Sequence, residues 1–321
     1  MKAAVRSHYG GPEVISIKEV EKPQPRPNEV RVKVYATTVN RTDCGALWGK
    51  PWIVRLFTGF PKPRLKSTGV DFAGEVTKLG SKVTELEIGD RVFGFHDNGL
   101  ASHAQYLCIS AKKAIPMPDN ITYAQGAASL EGAHYAFNFI NKVKFKKGDK
   151  FLVNGGTGAI GSALVQLLTA FGAHVTAVCR GEHADLVKDL GAQRIIDYSR
   201  VNFTQDEETY QCVFDAVGKS TFGQCKRLLE WNGIYISSEL GPGMQNLFLA
   251  LFTPLASGKR VKFPLPVNSH RSVLLIKELI EKGKFKPLLD RSYPLEEIAQ
   301  AYTYVVQGKK VGNVILQPFG E

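Results

Sequence analysis

The stretch Asn154-Gly155-Gly156-Thr157-Gly158-Ala159-Ile160-Gly161 decides the fold of this 321-residue chain. It follows the apolar run Phe151-Leu152-Val153 and precedes residues 160–171, where apolar side chains recur at helical spacing. A glycine-rich turn between a strand and a helix lets backbone N–H groups approach a pyrophosphate, and the helix N-terminus adds partial positive charge. The GxGxxG spacing in this context predicts a dinucleotide site, with a tight turn that binds no ligand as the alternative. The residues expected to hold the dinucleotide are Gly156, Thr157, Gly158, Ala159, Ile160 and Gly161.

From about residue 123 the chain alternates between strand-like and helix-like segments. Strands separated by helices need right-handed crossovers, which produce a parallel, doubly wound α/β sheet that binds ligands at the carboxyl ends of its strands. The predicted strands are 151–153, 175–179, 194–197, 212–217 and 234–237, and the predicted helices are 160–171, 183–190 and 220–230.

The regions that precede and follow this sheet in the sequence have a different pattern of residues. The N-terminal region contains short β-like runs between Gly and Pro residues, which predict a β-rich barrel or sandwich. After a polar linker at 257–260, we expect the tail to return to this first domain. The predicted strands here are 30–35, 91–95 and 311–316, and the predicted helix is 270–283. The expected domains are 1–122 with 259–321, and 123–258.

The composition is that of a globular protein, with 44% hydrophobic and 22% charged residues. The N-terminus lacks the apolar core of a signal peptide, and the longest apolar run, Leu247–Phe252, is too short to cross a bilayer. Five scattered cysteines without a CxxC pair are typical of reduced thiols in the cytosol. We therefore expect a cytoplasmic protein without stable membrane insertion.

The net charge of +11 favours acidic partners such as nucleic acid, anionic lipid or a phosphorylated ligand. The largest local cluster of cations lacks the interleaved aromatic residues of a single-strand binder, and it indicates a solvated face and no nucleic-acid partner. Its members are Lys142, Lys144, Lys146, Lys147 and Lys150.

The residue after the second strand of the predicted sheet bears on the choice of cofactor. An NAD site usually places an Asp or Glu there to hold the ribose 2′-hydroxyl, whereas this chain has Arg180, a cation suited to the 2′-phosphate of NADPH. Glu182 and His183 follow closely, so a turn could still present a carboxylate to NADH. Arg180 as an ordinary surface arginine is the other alternative.

Short motifs in a shared order run through nearly the whole chain. Together they resemble the zinc-free quinone oxidoreductase branch of the medium-chain dehydrogenase/reductase superfamily, a branch that includes ζ-crystallin-like proteins. The resemblance implies a Rossmann domain inserted in a β-rich, GroES-like catalytic domain built from both chain ends. The matching segments are 39–43, 69–76, 89–93, 154–161, 173–179, 190–192, 196–198, 214–218 and 312–316.

The resemblance also separates this chain from the zinc alcohol dehydrogenases. Where those enzymes place their first cysteine ligand this chain has Asn40, and their Gly-His-Glu corresponds to Gly69-Val70-Asp71. No four-cysteine structural lobe is present in the sequence, so we expect no metal. Without a Lewis acid, alcohol oxidation is disfavoured, whereas quinones and α,β-unsaturated carbonyls accept hydride directly.

On the catalytic side, the resemblance places Asn40 beside the nicotinamide and the substrate, with Asp43 shaping the same pocket. His134 occupies a position where relatives usually have Thr. A neutral imidazole there could donate a proton, and a packed, hydrogen-bonded histidine is the alternative.

On the cofactor side, Tyr198 resembles the tyrosine that packs near the 2′-phosphate in NADPH-specific members. Val217 and Gly218 resemble the strand end that contacts the nicotinamide ribose. Asn313 stands where relatives often carry a lysine beside the cofactor.

The sequence is compatible with more than one role for each of two apolar segments. Residues 48–60 hold four large aromatic side chains, which could cover a planar acceptor, touch a membrane surface or pack as core. By analogy with relatives, which are commonly homodimers or homotetramers, we expect a homo-oligomer, a dimer; the run 247–252 could be its interface or could pack internally.

The expected function is transfer of hydride from NADPH, or less favourably NADH, to a quinone or an enone. One alternative is a dinucleotide-binding sensor or structural protein without turnover, as ζ-crystallin illustrates. The other is an NAD(H)-dependent alcohol or aldehyde dehydrogenase with an unrecognised metal.

Overall fold

The computed structural model divides the chain into two units. The first unit comprises Met1–Glu131 with Asn268–Glu321, and the second comprises Gly132–Val267. The structure describes the chain except for Pro51, Ile53, Asp97, Asn98, Ala256, Ser257, Pro266, Asn268, Glu321 and the side chains of Val54 and Phe57.

The strands, in chain order, are β1 Lys2–Val5, β2 Ser16–Glu19, β3 Glu29–Val39, β4 Asp71–Leu79, β5 Arg91–Phe95, β6 Tyr106–Ser110, β7 Ile115–Pro116, β8 Lys150–Asn154, β9 His174–Cys179, β10 Arg194–Asp197, β11 Tyr210–Asp215, β12 Leu229–Ser237, β13 Arg260–Lys262, β14 Leu289–Pro294 and β15 Asn313–Gln317. The α-helices are α1 Arg41–Trp48, α2 Val54–Thr58, α3 Tyr123–Ala128, α4 Glu131–Ile140, α5 Ala159–Ala170, α6 Ala184–Asp189, α7 Phe222–Cys225, α8 Gln245–Phe252, α9 Ser269–Glu281 and α10 Ile298–Val306. Within the described residues, no helix combines the length and hydrophobicity needed to span a bilayer.

The second unit is built on one parallel sheet of six strands in the order β10-β9-β8-β11-β12-β13. Phe151, Leu152 and Val153 in β8 are completely buried, as expected of a strand covered on both faces. The strand order reverses between β8 and β11, and such a reversal is where doubly wound sheets bind ligands. The loops after these two strands are therefore the natural place for a nucleotide.

The first unit is built on a mixed sheet in the order β14-β15-β3-β4-β5-β7, with β6 also paired to β3. Val30, Val32 and Val34 alternate with less buried residues along β3 and form part of its core. β15 pairs antiparallel with β3, with Val314 opposite Val39, so the C-terminal tail is part of this sheet. The predicted fold class, a parallel Rossmann-type sheet with a separate β-rich domain, is confirmed.

Two local predictions are wrong. Residues 220–230 form the four-residue α7, a short 3-10 turn and the start of β12 instead of one long helix. The chain turns to strand here because Leu229 pairs with Tyr210 of β11. Part of the predicted linker 257–260 is also structured, since Arg260 begins β13 and pairs with Ile234.

The division between the units falls later in the chain than the expected boundaries after residues 122 and 258. α3 packs against β3 and β4 in the first unit, and β13 extends the sheet of the second unit. Helix α3 therefore belongs to the first unit, and strand β13 belongs to the second.

Candidate functional site

The glycine turn after β8 is packed backbone against backbone. The N–H groups of Gly155 and Gly156 both donate to the carbonyl oxygen of Val178, at 3.0 Å each, and this draws the turn onto β9. A Cβ on Gly161 would lie 2.0 Å from the carbonyl oxygen of Gly155. Gly155 itself has φ +89°, a conformation that favours glycine. The turn therefore requires glycine at both positions.

The N-terminus of α5 emerges directly from this turn. Gly158 is the N-cap residue of the twelve-residue helix and supplies no side chain to cap it. The first N–H groups of a helix, here those of Ala159, Ile160 and Gly161, have no intrahelical acceptor. A cradle without side chains at a helix N-terminus fits a pyrophosphate, so this part of the chain fits a dinucleotide.

A buried carboxylate shapes the loop after β11, a role that sequence reasoning missed. Asp215 Oδ1 accepts hydrogen bonds from the backbone N–H groups of Val217, at 3.2 Å, and Gly218, at 3.0 Å. The same oxygen accepts from Asn154 Nδ2 at 3.0 Å, which ties the end of β11 to the end of β8. An acidic residue at the end of the apolar run Cys212–Phe214 was the available signal.

The structure brings Val217 together with the glycine turn. A Cβ on Gly155 would lie 2.6 Å from Val217 Cγ2, so the two residues are in contact across the point where the strand order reverses. Val217 remains partly exposed, and Gly218 has φ +66°. The residues expected to contact the pyrophosphate and the nicotinamide ribose therefore adjoin one another.

Arg180 and Tyr198 lie side by side at the ends of the neighbouring strands β9 and β10. Cys179 is paired with Asp197 in the parallel register, so the residues that follow them emerge together. The neighbouring Tyr198 hydroxyl is the largest cause of the raised pKa of Arg180. Both side chains are more than half exposed.

Charged groups surround this pair. Glu182 Oε1 lies 3.4 Å from Arg180 Nη1 and 3.5 Å from His183 Nε2, so the carboxylate already has a cationic neighbour. Arg200, which sequence reasoning did not select, lies in the same loop region, with its Nε 3.5 Å from Asp197 Oδ2. Its position two residues after Tyr198 was the feature of the sequence that could have identified it.

Asn40, in the first unit, caps α1. Its Oδ1 accepts from the backbone N–H of Asp43 at 2.9 Å, and its own N–H donates to Asp43 Oδ2 at 3.2 Å, a reciprocal capping box. Asn40 Nδ2 also donates to Thr38 Oγ1 at 3.2 Å. The amide keeps one N–H and one lone pair beyond these bonds, because a primary amide offers two of each.

Two buried carboxyl groups are linked to Asn40: Asp43 by direct hydrogen bonds, and Asp71 through the Thr38 hydroxyl. Asp71 accepts from the backbone N–H of Thr38 at 2.7 Å and from its hydroxyl at 2.5 Å, and burial raises the pKa of Asp71 to about 6. Burial, together with the charge of Asp71, raises the pKa of Asp43 well above its usual value. Asp43 also accepts from the Gly69 N–H at 3.1 Å. The capping amide is therefore held by a fully buried polar network.

His103 belongs to the same network and was not selected from the sequence. Its Nε2 lies 2.9 Å from the carbonyl oxygen of Thr38, and its Nδ1 lies 2.8 Å from Thr68 Oγ1. Tyr302 donates to that Thr68 hydroxyl at 2.7 Å. Burial lowers the pKa of His103 to about 4, so the imidazole is neutral near pH 7. Nε2 then carries the proton, because the carbonyl oxygen can only accept.

The structure places His134 in the second unit, whereas Asn40 and Asp43 belong to the start of α1 in the first. It is buried on α4, with Nε2 3.2 Å from Asn138 Nδ2. Asn138 also donates to the His134 carbonyl oxygen at 2.9 Å and accepts from the Val267 N–H at 3.1 Å. These bonds join the imidazole to the packing of the helix.

Asn313 begins β15 of the first unit, whereas the glycine turn belongs to the second unit. Its side-chain amide donates to the Leu288 carbonyl oxygen at 3.0 Å, and its backbone N–H donates to the same oxygen at 2.9 Å. The side chain thus supports the pairing of β14 with β15.

The residues at the expected zinc positions do not fit a zinc site. Val70 has a hydrocarbon side chain, the Asn40 amide is engaged in the cap, and both Asp71 oxygens accept from threonines. Across the described part of the chain, no group of three or more His, Cys, Asp or Glu side chains is arranged to hold a metal. Zinc prefers cysteine, histidine or free carboxylate ligands.

The aromatic segment 48–60 is partly described. Trp52 and Phe60 are largely exposed, and Trp48 is half-buried. Ile53 and the Phe57 side chain lie outside the described residues.

Two family models match the chain. An alcohol dehydrogenase GroES-like domain matches residues 26–119, and a zinc-binding dehydrogenase model matches residues 190–316. The two matched ranges lie on either side of the glycine turn.

Named proteins resemble the chain over almost its full length. A 2-methylene-furan-3-one reductase of Solanum lycopersicum is 28% identical, covering 99% of this chain and 79% of its own. A chloroplastic NADPH-dependent alkenal/one oxidoreductase of Arabidopsis thaliana is 29% identical, covering 99% of this chain and 80% of its own. The solved quinone oxidoreductase of Coxiella burnetii has the same fold, with a TM-score of 0.86 and 24% identity over 99% of each chain.

Proposed function

Because the chain belongs to the quinone oxidoreductase branch of the medium-chain dehydrogenase/reductase superfamily, we propose that it transfers a hydride from NADPH to a quinone or an α,β-unsaturated carbonyl. Relatives named as reductases and oxidoreductases support the oxidoreductase class of the reaction. The choice of NADPH and of a conjugated acceptor rests on the residues of this chain.

The contact between Arg180 and Tyr198 carries the choice of NADPH. A guanidinium next to a phenol hydroxyl offers a cation and a hydrogen-bond donor to a phosphate, and both groups are exposed. The expected NAD-type carboxylate after β9 is absent from that position, and the nearby Glu182 already lies beside Arg180. A relative named for NADPH dependence supports the same choice.

The nicotinamide cofactor supplies the hydride when it is bound, and the chain binds and orients it. The glycine turn and the α5 N-terminus hold the pyrophosphate, and Val217 and Gly218 support the ribose. The free N–H and lone pair of Asn40 are available to a carbonyl or an amide of a bound molecule. Asp43 is a positioning residue, because it fixes the backbone and side chain of Asn40.

A conjugated acceptor suits these residues. Hydride adds to an electrophilic carbon of the quinone or enone. The quinol anion then takes a proton on oxygen and the enolate takes one on its α-carbon, in both cases from water, so a dedicated acid is not required. Catalysis then rests on orientation. The first step needs no metal, in agreement with the side chains at positions 40, 70 and 71. Relatives named as enone and quinone reductases support this acceptor class.

The experiment follows the oxidation of NADPH and NADH separately with 1,4-benzoquinone, 9,10-phenanthrenequinone and an enone, with and without a chelator. We expect faster oxidation of NADPH and no effect of the chelator. Binding of NADPH without oxidation by any acceptor would instead indicate a sensor or structural protein. Loss of activity with the chelator would overturn the metal-free part of the proposal.

A further inference from the structure

Asp197, the last residue of β10, lies against the loop that follows β9. Its Oδ1 accepts hydrogen bonds from the backbone N–H of Ser199, at 2.9 Å, and from the Ser199 hydroxyl, at 2.7 Å. A Cβ on Gly181 would lie 2.4 Å from Asp197 Oδ2, so the second oxygen of the carboxylate faces the backbone next to Arg180. One side chain therefore contacts both of the loops that carry Arg180 and Tyr198.

Backbone hydrogen bonds fix the turn that follows β10. The Tyr198 N–H donates to the Cys179 carbonyl oxygen at 3.2 Å, which ties the turn to the end of β9. The Arg200 N–H donates to the Asp197 carbonyl oxygen at 3.1 Å, which closes the turn on its own strand. The side chain of Arg200 therefore starts from a backbone that is held by both strands.

The Arg200 guanidinium extends from this turn into solvent. Its Nε lies 3.5 Å from Asp197 Oδ2, the same oxygen that faces Gly181, and its side chain is 84% exposed. The ion pair is made through Nε, and within the described part of the chain no other acidic side chain pairs with this guanidinium. The four N–H groups on its two terminal nitrogens are therefore available to a ligand.

The charges of this region call for a second cation if a phosphate is to bind. Arg180 Nη1 lies 3.4 Å from Glu182 Oε1, so one carboxylate already stands beside the first guanidinium. Asp197 brings a second carboxylate, and the hydrogen bonds from Ser199 lower its pKa. Arg180 alone would leave an excess of negative charge beside a bound phosphate, and like charges repel. Arg200 offsets the second carboxylate.

We propose that Arg200 is a second phosphate-binding residue of the cofactor site, and that Asp197 is the positioning residue that holds its guanidinium beside the loop of Arg180. The group bound is the 2′-phosphate of NADPH, so the inference rests on the proposed choice of that cofactor. Two guanidinium groups on neighbouring loops can donate to different oxygens of one phosphate, and such charge-assisted bonds are short and strong. NADH has only a hydroxyl at the same place and gains nothing from Arg200.

The alternative is an ion pair that serves only the turn after β10. Removal of the Arg200 side chain would then leave the affinity for every nucleotide unchanged, or lower all affinities alike. An exposed ion pair between residues three apart contributes little to stability, so the variants at position 200 are expected to fold. The two interpretations therefore differ in nucleotide affinity rather than in stability.

The test is isothermal titration of the full chain with adenosine 2′,5′-bisphosphate and with adenosine 5′-monophosphate. These ligands differ only in the 2′-phosphate, and their binding needs neither an acceptor nor turnover. We expect the unaltered chain to prefer the bisphosphate. Arg200→Gln should weaken the bisphosphate about tenfold and leave the monophosphate nearly unchanged. Arg260→Gln, the same substitution at an exposed position on the opposite edge of the sheet, should bind both ligands like the unaltered chain.

A double-substitution cycle tests the positioning role of Asp197. Gly181→Ala places a methyl group where Asp197 Oδ2 now lies, so it should displace the carboxylate and Arg200 with it. We expect Gly181→Ala to weaken the bisphosphate about threefold or more by itself, and to add little to Arg200→Gln. Additive effects of the two substitutions would show that Asp197 does not act through Arg200.

Thermal unfolding of each variant without ligand establishes that it is folded before affinities are compared. Equal weakening of both ligands by Arg200→Gln, or no weakening of either, would overturn the role of Arg200. Equal binding of both ligands by the unaltered chain would overturn the choice of NADPH itself, and it would be seen before any substitution is made. If no acceptor oxidises NADPH while the bisphosphate preference still depends on Arg200, the proposed reaction fails and the phosphate site remains.

Discussion

Gly161 lies so close to Gly155 that a Cβ on Gly161 would come within 2.0 Å of the Gly155 carbonyl oxygen. The Cα of Gly161 and the carbonyl group of Gly155 both belong to the backbone of the glycine turn, so neither can move away without displacing the start of α5. The contact fixes the geometry of the pyrophosphate cradle and makes its glycine requirement directly testable.

Gly161→Ala should lower the unfolding free energy by about 1–3 kcal/mol, because the added methyl group forces the turn away from the helix. Chemical denaturation without cofactor measures this change. Gly158→Ala is the matched control: Gly158 has φ −72°, and its Cβ would lie 3.5 Å from the Gly155 carbonyl oxygen, an ordinary contact. Equal destabilisation by both substitutions would contradict the cradle geometry.

Arg180→Glu should weaken NADPH binding by about ten- to a hundredfold and spare NADH, because only NADPH carries the 2′-phosphate. Isothermal titration with each cofactor measures the difference. Lys188→Glu makes the same charge change at an exposed position of α6 and should leave both affinities nearly unchanged. If Arg180→Glu weakens both cofactors equally, Arg180 is only structural.

Asn40→Ser distinguishes the contribution of Asn40 to helix capping from its contribution to hydride transfer. Serine caps a helix about as well as asparagine, so the unfolding free energy should change by less than about 1 kcal/mol, whereas Asn40→Ala should also lose the cap. The single-turnover rate of hydride transfer should fall about tenfold or more in both variants, because the orienting amide is lost. An unchanged rate in Asn40→Ser would remove Asn40 from the reaction.

His103 should make the protein less stable as the pH falls from 6.5 towards 4. The folded state keeps the imidazole neutral down to about pH 4, whereas the unfolded chain binds a proton near pH 6.5, so acid favours unfolding. The loss amounts to about 3 kcal/mol. Asp43 and Asp71, whose raised pKa values favour the folded state as the pH falls, act in the opposite direction in both proteins. Denaturant titrations should therefore show the unaltered chain losing about 3 kcal/mol relative to His103→Gln across this range. The exposed His270→Gln should keep the original slope.

His134→Thr tests the proton-donor alternative. Because the imidazole is buried and bonded within α4, we expect a lower melting temperature and nearly unchanged turnover per folded molecule. The measurement is the pH–rate profile of the variant beside that of the unaltered chain. Loss of one ionisation from that profile, together with slower turnover, would make His134 the proton donor.

Much of the second unit follows from local sequence. The apolar run before the glycine turn is buried on both faces, because continuous apolar runs mark strands of a covered parallel sheet. The strand at 194–197 also lies at its predicted position. The three-residue β13 escaped prediction, since an edge strand containing Arg260 and Lys262 carries little apolar pattern. Its assignment depends on pairing with β12.

Some residues of the candidate site could likewise be predicted from the sequence, and others could not. Arg180 and Tyr198 could be selected from their positions after strands, but only the register of β9 with β10 shows that they leave the sheet side by side. Asp71 and His103 could not be selected, because a buried polar residue inside an apolar strand or loop looks like an exposed one until the surrounding donors are known. Their partners lie more than thirty residues away along the chain.

The antiparallel pairing of β15 with β3 sets an order for biosynthesis. The sheet of the first unit is incomplete until residues 313–317 have left the ribosome, because β15 supplies its connection between β3 and β14. The second unit is continuous, so all six of its strands are available once residue 262 has emerged. We expect the six-stranded sheet to be completed first during translation, and the sheet of the first unit to be completed last, when β14 and β15 join β3.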